Sequence, residues 1–528
     1  MFLNFLPIAF LVIAAIIIFI VDKFRPSIGG AWISALLGSL FSLGTILVFR
    51  WYSPPELVIE NWLEFNSISF PLAFGFDSIS WIFAFCVIVV LTGIFLTVPI
   101  RLTVSNDPKA WILDIILTAA ALLSVLAKTP ITLILVWTMI DILEVVVLAI
   151  YSSETAISRQ AVISLAARIV GTWVLLWAMF YSQFQGSGQI DFTRIPTEYG
   201  LMLLLAVALR LGIIPIFIPF SREIPVRREL GTVLRFIVPV SSLTLLSRLS
   251  DLIIPSEWAI LLSVVALLAS IFGSIMFFLS SSELTGRSYW LVALAGMAIV
   301  SVVRGRAEAG LSWTVALILL GSFLSLHSYR KRSYLWLMII GFLGITGLPF
   351  SPVASGWSGL IVFPFNLLDI LYMVVHIVLL IGFMKHAFRI EEPPELAERW
   401  MLILYPLGLG ILIAAQWFIS IDTLLSSINN QVWWASLITT GVALVISALI
   451  FRIQPKFMGK GDYTGIDQFP GTSSRFWIYR PLEQLFFMLQ SFILMVTNLL
   501  EGEGGVFWAF LLFIMVLTLI GVGTGGAL

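Results

Sequence analysis

The chain has 528 residues, of which 60% are hydrophobic and only 11% are charged, and its mean hydropathy is +1.07. In soluble domains about a quarter of all residues are charged. This composition therefore excludes an ordinary soluble protein and indicates an integral membrane protein. The formal net charge of +0 argues against nucleic-acid binding, and one cysteine with three scattered histidines offers neither a disulfide, an iron–sulfur cluster nor a recognisable metal site.

Apolar runs of about 20 residues, enough to cross a hydrocarbon core of roughly 30 Å, recur along the chain. They predict an all-α polytopic membrane protein of about 16 transmembrane helices. The first run, 2–21, is too long for the apolar region of a signal peptide and is interpreted as a retained span. The predicted spans begin near residues 3, 30, 80, 110, 130, 161, 199, 232, 257, 288, 309, 334, 357, 401, 433 and 506.

Lysine and arginine fall mainly in alternate connections between these spans. By the positive-inside rule those connections face the cytoplasm, which puts the N-terminus outside. We expect the protein in a prokaryotic cytoplasmic (inner) membrane. The exceptions to the alternation are Arg50, Arg194, Arg248, Arg304 and Arg306.

Near the C-terminal end, the segment 481–500 carries pairs of polar residues seven positions apart. Such spacing places them on one stripe of a helix, which fits an amphipathic helix lying along the membrane. A further span with a polar stripe explains the pattern equally well, and both interpretations stay open.

Two apolar segments are interrupted by glycine and proline at comparable places. The interruptions contain Gly212 and Pro215 in the first segment, and Gly347, Pro349 and Pro352 in the second. Broken helices in two related halves indicate an ion path in transporters, although proline alone often only kinks a membrane helix. The predicted organisation is three N-terminal spans (1–108), two inverted five-helix repeats (109–254 and 257–386), two further spans (400–453), and a loop, lateral helix (481–500) and final span (454–528).

Ionisable side chains inside spans cost several kcal/mol unless they are paired or hydrated, so each is a candidate for function. Asp141 and Glu144 are three apart on one helix and share a face, and Arg168 and Arg210 lie on the next two spans. These four residues predict one buried cluster, either a hydrated proton or cation route or a closed structural ion-pair network. The candidate path residues are Asp141, Glu144, Arg168, Arg210, Arg235, Asp369 and His376, and Asp114 is a further ionisable residue inside a span.

Several short motifs over about residues 60–390 occur in the order of a known family. Phe74-Gly-Phe-Asp-Ser-Ile-Ser80 is similar to its G-x-D-x-L-S motif, Arg168-Ile-Val-Gly171 to its Arg-Val-Gly-Asp motif, and Arg210 with Pro215 to its Lys-x4-Pro motif. Further matches are Trp137, Tyr289 with Gly296, and Gly347-Leu-Pro349 with Gly356-Trp357. On these residues the chain resembles the antiporter-like membrane subunits of respiratory complex I (NADH-quinone oxidoreductase), membrane-bound hydrogenases and multi-subunit cation/proton antiporters.

The chain departs from this family where the family carries its proton-relaying side chains, a glutamate, lysines and histidines along the membrane midplane. Thr138 stands at the glutamate position, Arg210 at a lysine, Leu294 at a histidine and Leu360 at a lysine or glutamate. The stretch 217–221 lacks the family's histidine. Arginine is not deprotonated in proteins, whereas a buried lysine can be, so Arg210 holds an anion but does not relay a proton.

The resemblance implies an antiporter-like membrane-arm subunit of a complex I-like, redox-driven proton or cation translocating assembly, possessing part of the family's proton path. Flavin, iron–sulfur clusters and quinone are then expected only in partner subunits, with no cofactor, metal or catalytic chemistry in this chain. Its expected partners are other membrane subunits of a complex I-like or hydrogenase-like assembly, and the lipid bilayer. The alternatives are a purely structural membrane-arm subunit and a stand-alone secondary ion or solute transporter.

Overall fold

The all-α membrane fold is confirmed by a computed structural model of the chain. Among the described residues, thirteen helices are long and apolar enough to cross a membrane, and two further apolar helices are shorter. The predicted lateral helix 481–500 and the final span near 506 lie outside the described residues. The described residues are 2–24, 26–65, 68–101, 107–151, 155–184, 190–193, 195–216, 227–249, 254–329, 332–388, 398–424 and 432–457.

The N-terminal part contains three spans and one element that the sequence analysis did not predict. A β-hairpin precedes the third span, with Leu57 paired to Phe74 at its open end. Its residues Phe70 and Leu72 pack with Ile131 and Met179 in a small apolar cluster. The elements are α1 (Leu6–Phe24), α2 (Ile28–Val48), β1 (Leu57–Phe65), β2 (Ile68–Phe74) and α3 (Ser78–Thr97).

Two series of helices follow, and each contains one short helix in fourth place. The first series is α4 (Pro108–Leu126), α5 (Pro130–Tyr151), α6 (Thr155–Phe184), α7 (Gly200–Arg210) and a span made of α8 (Arg228–Thr232), a π-helical turn (Val233–Ile237) and α9 (Val240–Arg248). The second series is α10 (Ser256–Leu279), α11 (Glu283–Val303), α12 (Ala307–Leu326), α13 (Leu335–Thr346) with α14 (Trp357–Leu360), and α15 (Leu367–Ala387). The inverted relation between the two series stays a prediction.

The chain then continues through α16 (Arg399–Ile419), α17 (Ile421–Leu424) and α18 (Trp433–Phe457). The most buried spans are α3, the α8–α9 span, α11 and α12, which therefore form the centre of the bundle. By contrast, α1, α2 and α18 expose many apolar side chains, as expected of helices that face lipid or another membrane subunit.

Both short helices end at a glycine in the left-handed region of backbone conformation. Gly212 and Gly347 each have φ of 69°, a conformation that glycine adopts without steric cost and that commonly ends helices. After Gly347 the chain forms turns and the one-turn helix α14 before it reaches Asn366, whose side chain caps α15. The span predicted to begin near 357 therefore begins at Leu367.

Candidate functional site

The first broken helix ends at a buried pair of opposite charges. Arg210, the last residue of α7, donates through Nη1 and Nη2 to the two carboxylate oxygens of Asp141 on α5, each at 2.8 Å. Both side chains are buried. Two parallel charge-assisted hydrogen bonds fix orientation as well as distance, so this contact ties the end of α7 to the middle of α5.

A second ion pair extends this contact onto α6. Arg168 contacts Glu144 through Nη1, and its Nε lies 3.4 Å from Asp141 Oδ1. Asp141 therefore lies between the two arginines. The structure thus brings together all four residues that the sequence analysis grouped, and we call them the charge cluster. Two carboxylates and two guanidinium groups sum to zero charge, which limits the cost of burying them.

The side chains around Arg210 explain two of the motif residues. The Arg210 guanidinium carbon lies 4.3 Å from the centre of the Trp137 ring, a cation–π contact, and Nη1 also donates to Thr172 Oγ1 at 2.9 Å. A Cβ added to Gly171 would lie 2.7 Å from Arg210 Cγ and 2.9 Å from the carbonyl oxygen of Ala206. Gly171 therefore allows α6 and α7 to approach closely enough for Arg210 to reach Asp141.

Not every donor of the charge cluster has an acceptor. Among the described residues, Arg168 Nε and Nη2 and Arg210 Nε form no hydrogen bond although they are buried. A buried donor without an acceptor is costly, so these groups favour either ordered water or a second arrangement of the two carboxylates.

The second half of the chain uses its predicted residues differently. Asp369 accepts a hydrogen bond from Arg304 Nη1 at 2.9 Å and also caps the first turn of α15, where its Oδ2 accepts from the backbone N–H of Asn366 at 3.1 Å. The sequence alone did not predict this partner. Asp369 thus holds α15 to the end of α11.

His376 lies on α15 beside the second broken helix. Its Nε2 is 3.0 Å from the carbonyl oxygen of Ile345 on α13, and its Nδ1 is 3.3 Å from Thr439 Oγ1 on α18. The Trp357 ring stands edge-on to the imidazole with 5.0 Å between ring centres. Leu360, on α14, is fully buried.

The remaining predicted residues lie in irregular segments. Arg235 is buried in the π-helical turn, against which α4, α11 and α12 pack. Pro215 lies in the turn that follows α7, and Pro349 and Pro352 lie in the turns that follow α13. The described part of the chain contains no group of three or more His, Cys, Asp or Glu side chains arranged to hold a metal ion.

A third ionic network, at the start of α3, was not predicted. Asp77 Oδ2 lies 2.8 Å from Lys128 Nζ and 3.2 Å from Arg248 Nη2, and Oδ1 accepts from the N–H of Ser80 at 2.6 Å. Burial raises the pKa of Asp77, but Arg248, Lys128 and the Ser80 N–H together hold this pKa well below its ordinary value of 3.8. The network joins α3, α9 and the connection between α4 and α5.

Comparison with known proteins gives structural but no sequence matches. No protein-family model and no curated protein matches the chain. A chain of the membrane-bound sulfane sulfur reductase (MBS), an archaeal respiratory membrane complex, matches with a TM-score of 0.66 and 15% identity, over 98% of this chain and 99% of that chain. A chain of the Mrp complex from Dietzia sp. DQ12-45-1b matches with a TM-score of 0.65 and 14% identity, over 97% of this chain and 63% of that chain.

The chain has an antiporter-like membrane-subunit fold. The resemblance drawn from the motifs is thereby confirmed at the level of fold. The Asp77 and Gly171 motif residues have structural roles in this antiporter-like fold, since Asp77 begins α3 and Gly171 lets α6 approach α7.

Proposed function

We propose that this antiporter-like chain is a membrane-arm subunit of a redox-driven assembly that translocates protons or cations across a prokaryotic cytoplasmic membrane. The observation that carries the proposal is the end-to-end match to a chain of an archaeal respiratory membrane complex, which covers 98% of this chain and 99% of that one. Electron transfer would then take place in partner subunits that hold flavin, iron–sulfur clusters and quinone.

The charge cluster is the part of this chain that suits ion movement best. Its carboxylates, Asp141 and Glu144, are the groups in the cluster that can exchange a proton, because arginine stays protonated. The unpaired N–H groups of Arg168 and Arg210 favour water or a second carboxylate arrangement within the cluster. A change in the assembly that moves α7 relative to α5 would break the Asp141–Arg210 contact and leave a carboxylate free to take up a proton.

A purely structural membrane-arm subunit is the second candidate function. It is favoured by the pairing of both carboxylates of the charge cluster with arginines, and by the use of Asp369 as a helix cap and ion-pair partner rather than as a free carboxylate. A closed network of this kind holds helices in register.

Purification of the chain from its native membrane in mild detergent tests membership in the assembly. We expect subunits that bind flavin and iron–sulfur clusters to purify with it in fixed proportion. Hydrogenase subunits would place it in a different redox assembly. Isolation of the chain alone would contradict the proposal and favour a stand-alone transporter.

Glu144→Gln in the assembled complex separates the two candidate functions. Glutamine keeps a hydrogen-bond acceptor for Arg168 but cannot exchange a proton, so coupled ion movement should be lost while the assembly forms. Glu308→Gln, which alters an exposed residue in the first turn of α12, is the matched control. Unchanged ion movement in Glu144→Gln would assign this part of the charge cluster a structural role.

A further inference from the structure

Asp114 is a buried carboxyl group without a hydrogen-bond partner. It lies six positions into α4, its side chain is fully buried, and among the described residues neither Oδ1 nor Oδ2 accepts a hydrogen bond. It is outside the charge cluster. An ionised carboxylate buried without a donor or counter-ion costs many kcal/mol, which a protein avoids by keeping the group neutral. The burial and the missing donors therefore favour a protonated Asp114.

The neighbouring cations are already paired, so they do not compensate a charge on Asp114. Glu229 lies on α8, which packs against α4, and Arg227 directly precedes α8. Glu229 is held by Arg101 Nε at 2.8 Å, and Arg227 Nη2 lies 3.9 Å from Asp107 Oδ2. The other charged residues on α4, on elements that pack against it, or next to these elements are Asp22, Lys23, Arg50, Asp77, Lys109, Lys128, Asp141, Glu144, Arg228, Arg235 and Arg248.

We propose that Asp114 is a proton-binding site buried on α4. A metal cation is a poorer occupant because hard cations need several oxygen ligands, and Oε1 of Glu229 and Oδ2 of Asp107 already bind other groups. Proton binding stands on this geometry alone, and its use in translocation rests on the proposed function.

Infrared spectroscopy of the purified native assembly tests the site. A protonated carboxyl has a C=O stretching band that a carboxylate lacks. We expect such a band at neutral pH, a shift of the band in D2O, and its loss in Asp114→Asn, whose neutral amide leaves assembly intact. Asp422→Asn, which alters an exposed carboxyl group, is the control and should leave the band unchanged. Asp114→Glu should move the band rather than remove it, which serves if the asparagine variant does not assemble.

The outcomes separate this proposal from the proposed function because the spectrum is read without turnover. A band that persists in Asp114→Asn, or one that never shifts in D2O, would overturn the site. Loss of the co-purifying redox subunits would contradict the proposed function and leave the Asp114 band in place.

Discussion

Asp141 and Arg210 meet in a bidentate contact in which each carboxylate oxygen lies 2.8 Å from a different guanidinium nitrogen. The two residues are 69 positions apart in the sequence, so the contact joins two separate helices. Both side chains are buried, so removing one of them leaves the other as an unpaired buried charge. This unpaired charge, more than the lost attraction, determines how much the protein is destabilised.

Asp141→Asn should therefore destabilise the protein by about 3 to 5 kcal/mol, because it leaves a buried guanidinium without its counter-ion. Adding Arg210→Met should recover part of that loss, with a coupling energy of about 0.5 to 3 kcal/mol. The free energy of unfolding in detergent is measured for the wild type, the two single variants and the double variant, which together form a double-mutant cycle. If the two single losses simply add up in the double variant, the two side chains do not interact directly.

Gly171→Ala should destabilise the protein by about 1 to 3 kcal/mol, since the new methyl group overlaps Arg210 and the backbone of α7. Gly44→Ala is the matched control, because Gly44 lies in α2 with nothing within 4 Å of the added carbon. It should stabilise its helix by about 0.5 to 1 kcal/mol. Thermal unfolding of both variants in the same detergent shows which of them is destabilised and which is stabilised. An equal loss of stability in both would contradict the close approach of α6 and α7.

Asn366→Ala should cost about 1 kcal/mol, since Asn366 Oδ1 accepts from the backbone N–H of Asp369 at 3.3 Å and begins α15. Asn366→Ser keeps an acceptor at the cap and should remain close to the wild type. Chemical unfolding in detergent compares the two. A serine variant as unstable as the alanine variant would show that the side chain acts through something other than the cap.

Asp77 should make the protein sensitive to strong acid. Its pKa in the folded chain is lowered, so the stability it contributes is fully present above its ordinary value of 3.8 and is lost as pH falls through the lower folded pKa. Asp77→Asn should remove this acid-dependent loss and be less stable at neutral pH. Unfolding measured at a series of pH values below 5 tests it.

The control for this acid sensitivity is Asp422→Asn. Asp422 is 79% exposed and lies 3.7 Å from Arg50, and exposed pairs of this kind contribute less than about 1 kcal/mol. An Asp77→Asn variant that keeps the full acid-dependent loss would assign that loss to other groups.

The run lengths of apolar residues predicted the spans well, because crossing a bilayer imposes one length on every helix. The charge cluster could also be predicted, because Asp141 and Glu144 are three residues apart on one helix and the two arginines lie on the next two spans. The β-hairpin did not, since its strands are shorter than a span and carry no pattern of membrane length. The late start of α15 at Leu367 depends on a cap at Asn366 that run length does not reveal.

Arg248 and Arg304 show what sequence patterns leave out. Both are exceptions to the alternation of basic residues along the chain, and the structure pairs them with Asp77 and Asp369. These partners lie 171 and 65 positions away, so only the packing of the bundle brings them together. A basic residue that breaks the positive-inside pattern was the one available signal for these pairs.

The space left by Gly171 has a consequence for how this chain can change over evolution. Because a Cβ there would meet both a side-chain carbon of Arg210 and the backbone oxygen of Ala206, no residue larger than glycine fits while α6 and α7 keep their spacing. A side chain at position 171 requires α7 to move away from α6, because the oxygen of Ala206 belongs to the backbone, and that movement separates Arg210 from Asp141. We therefore expect relatives with a larger residue at 171 to lack the arginine at 210.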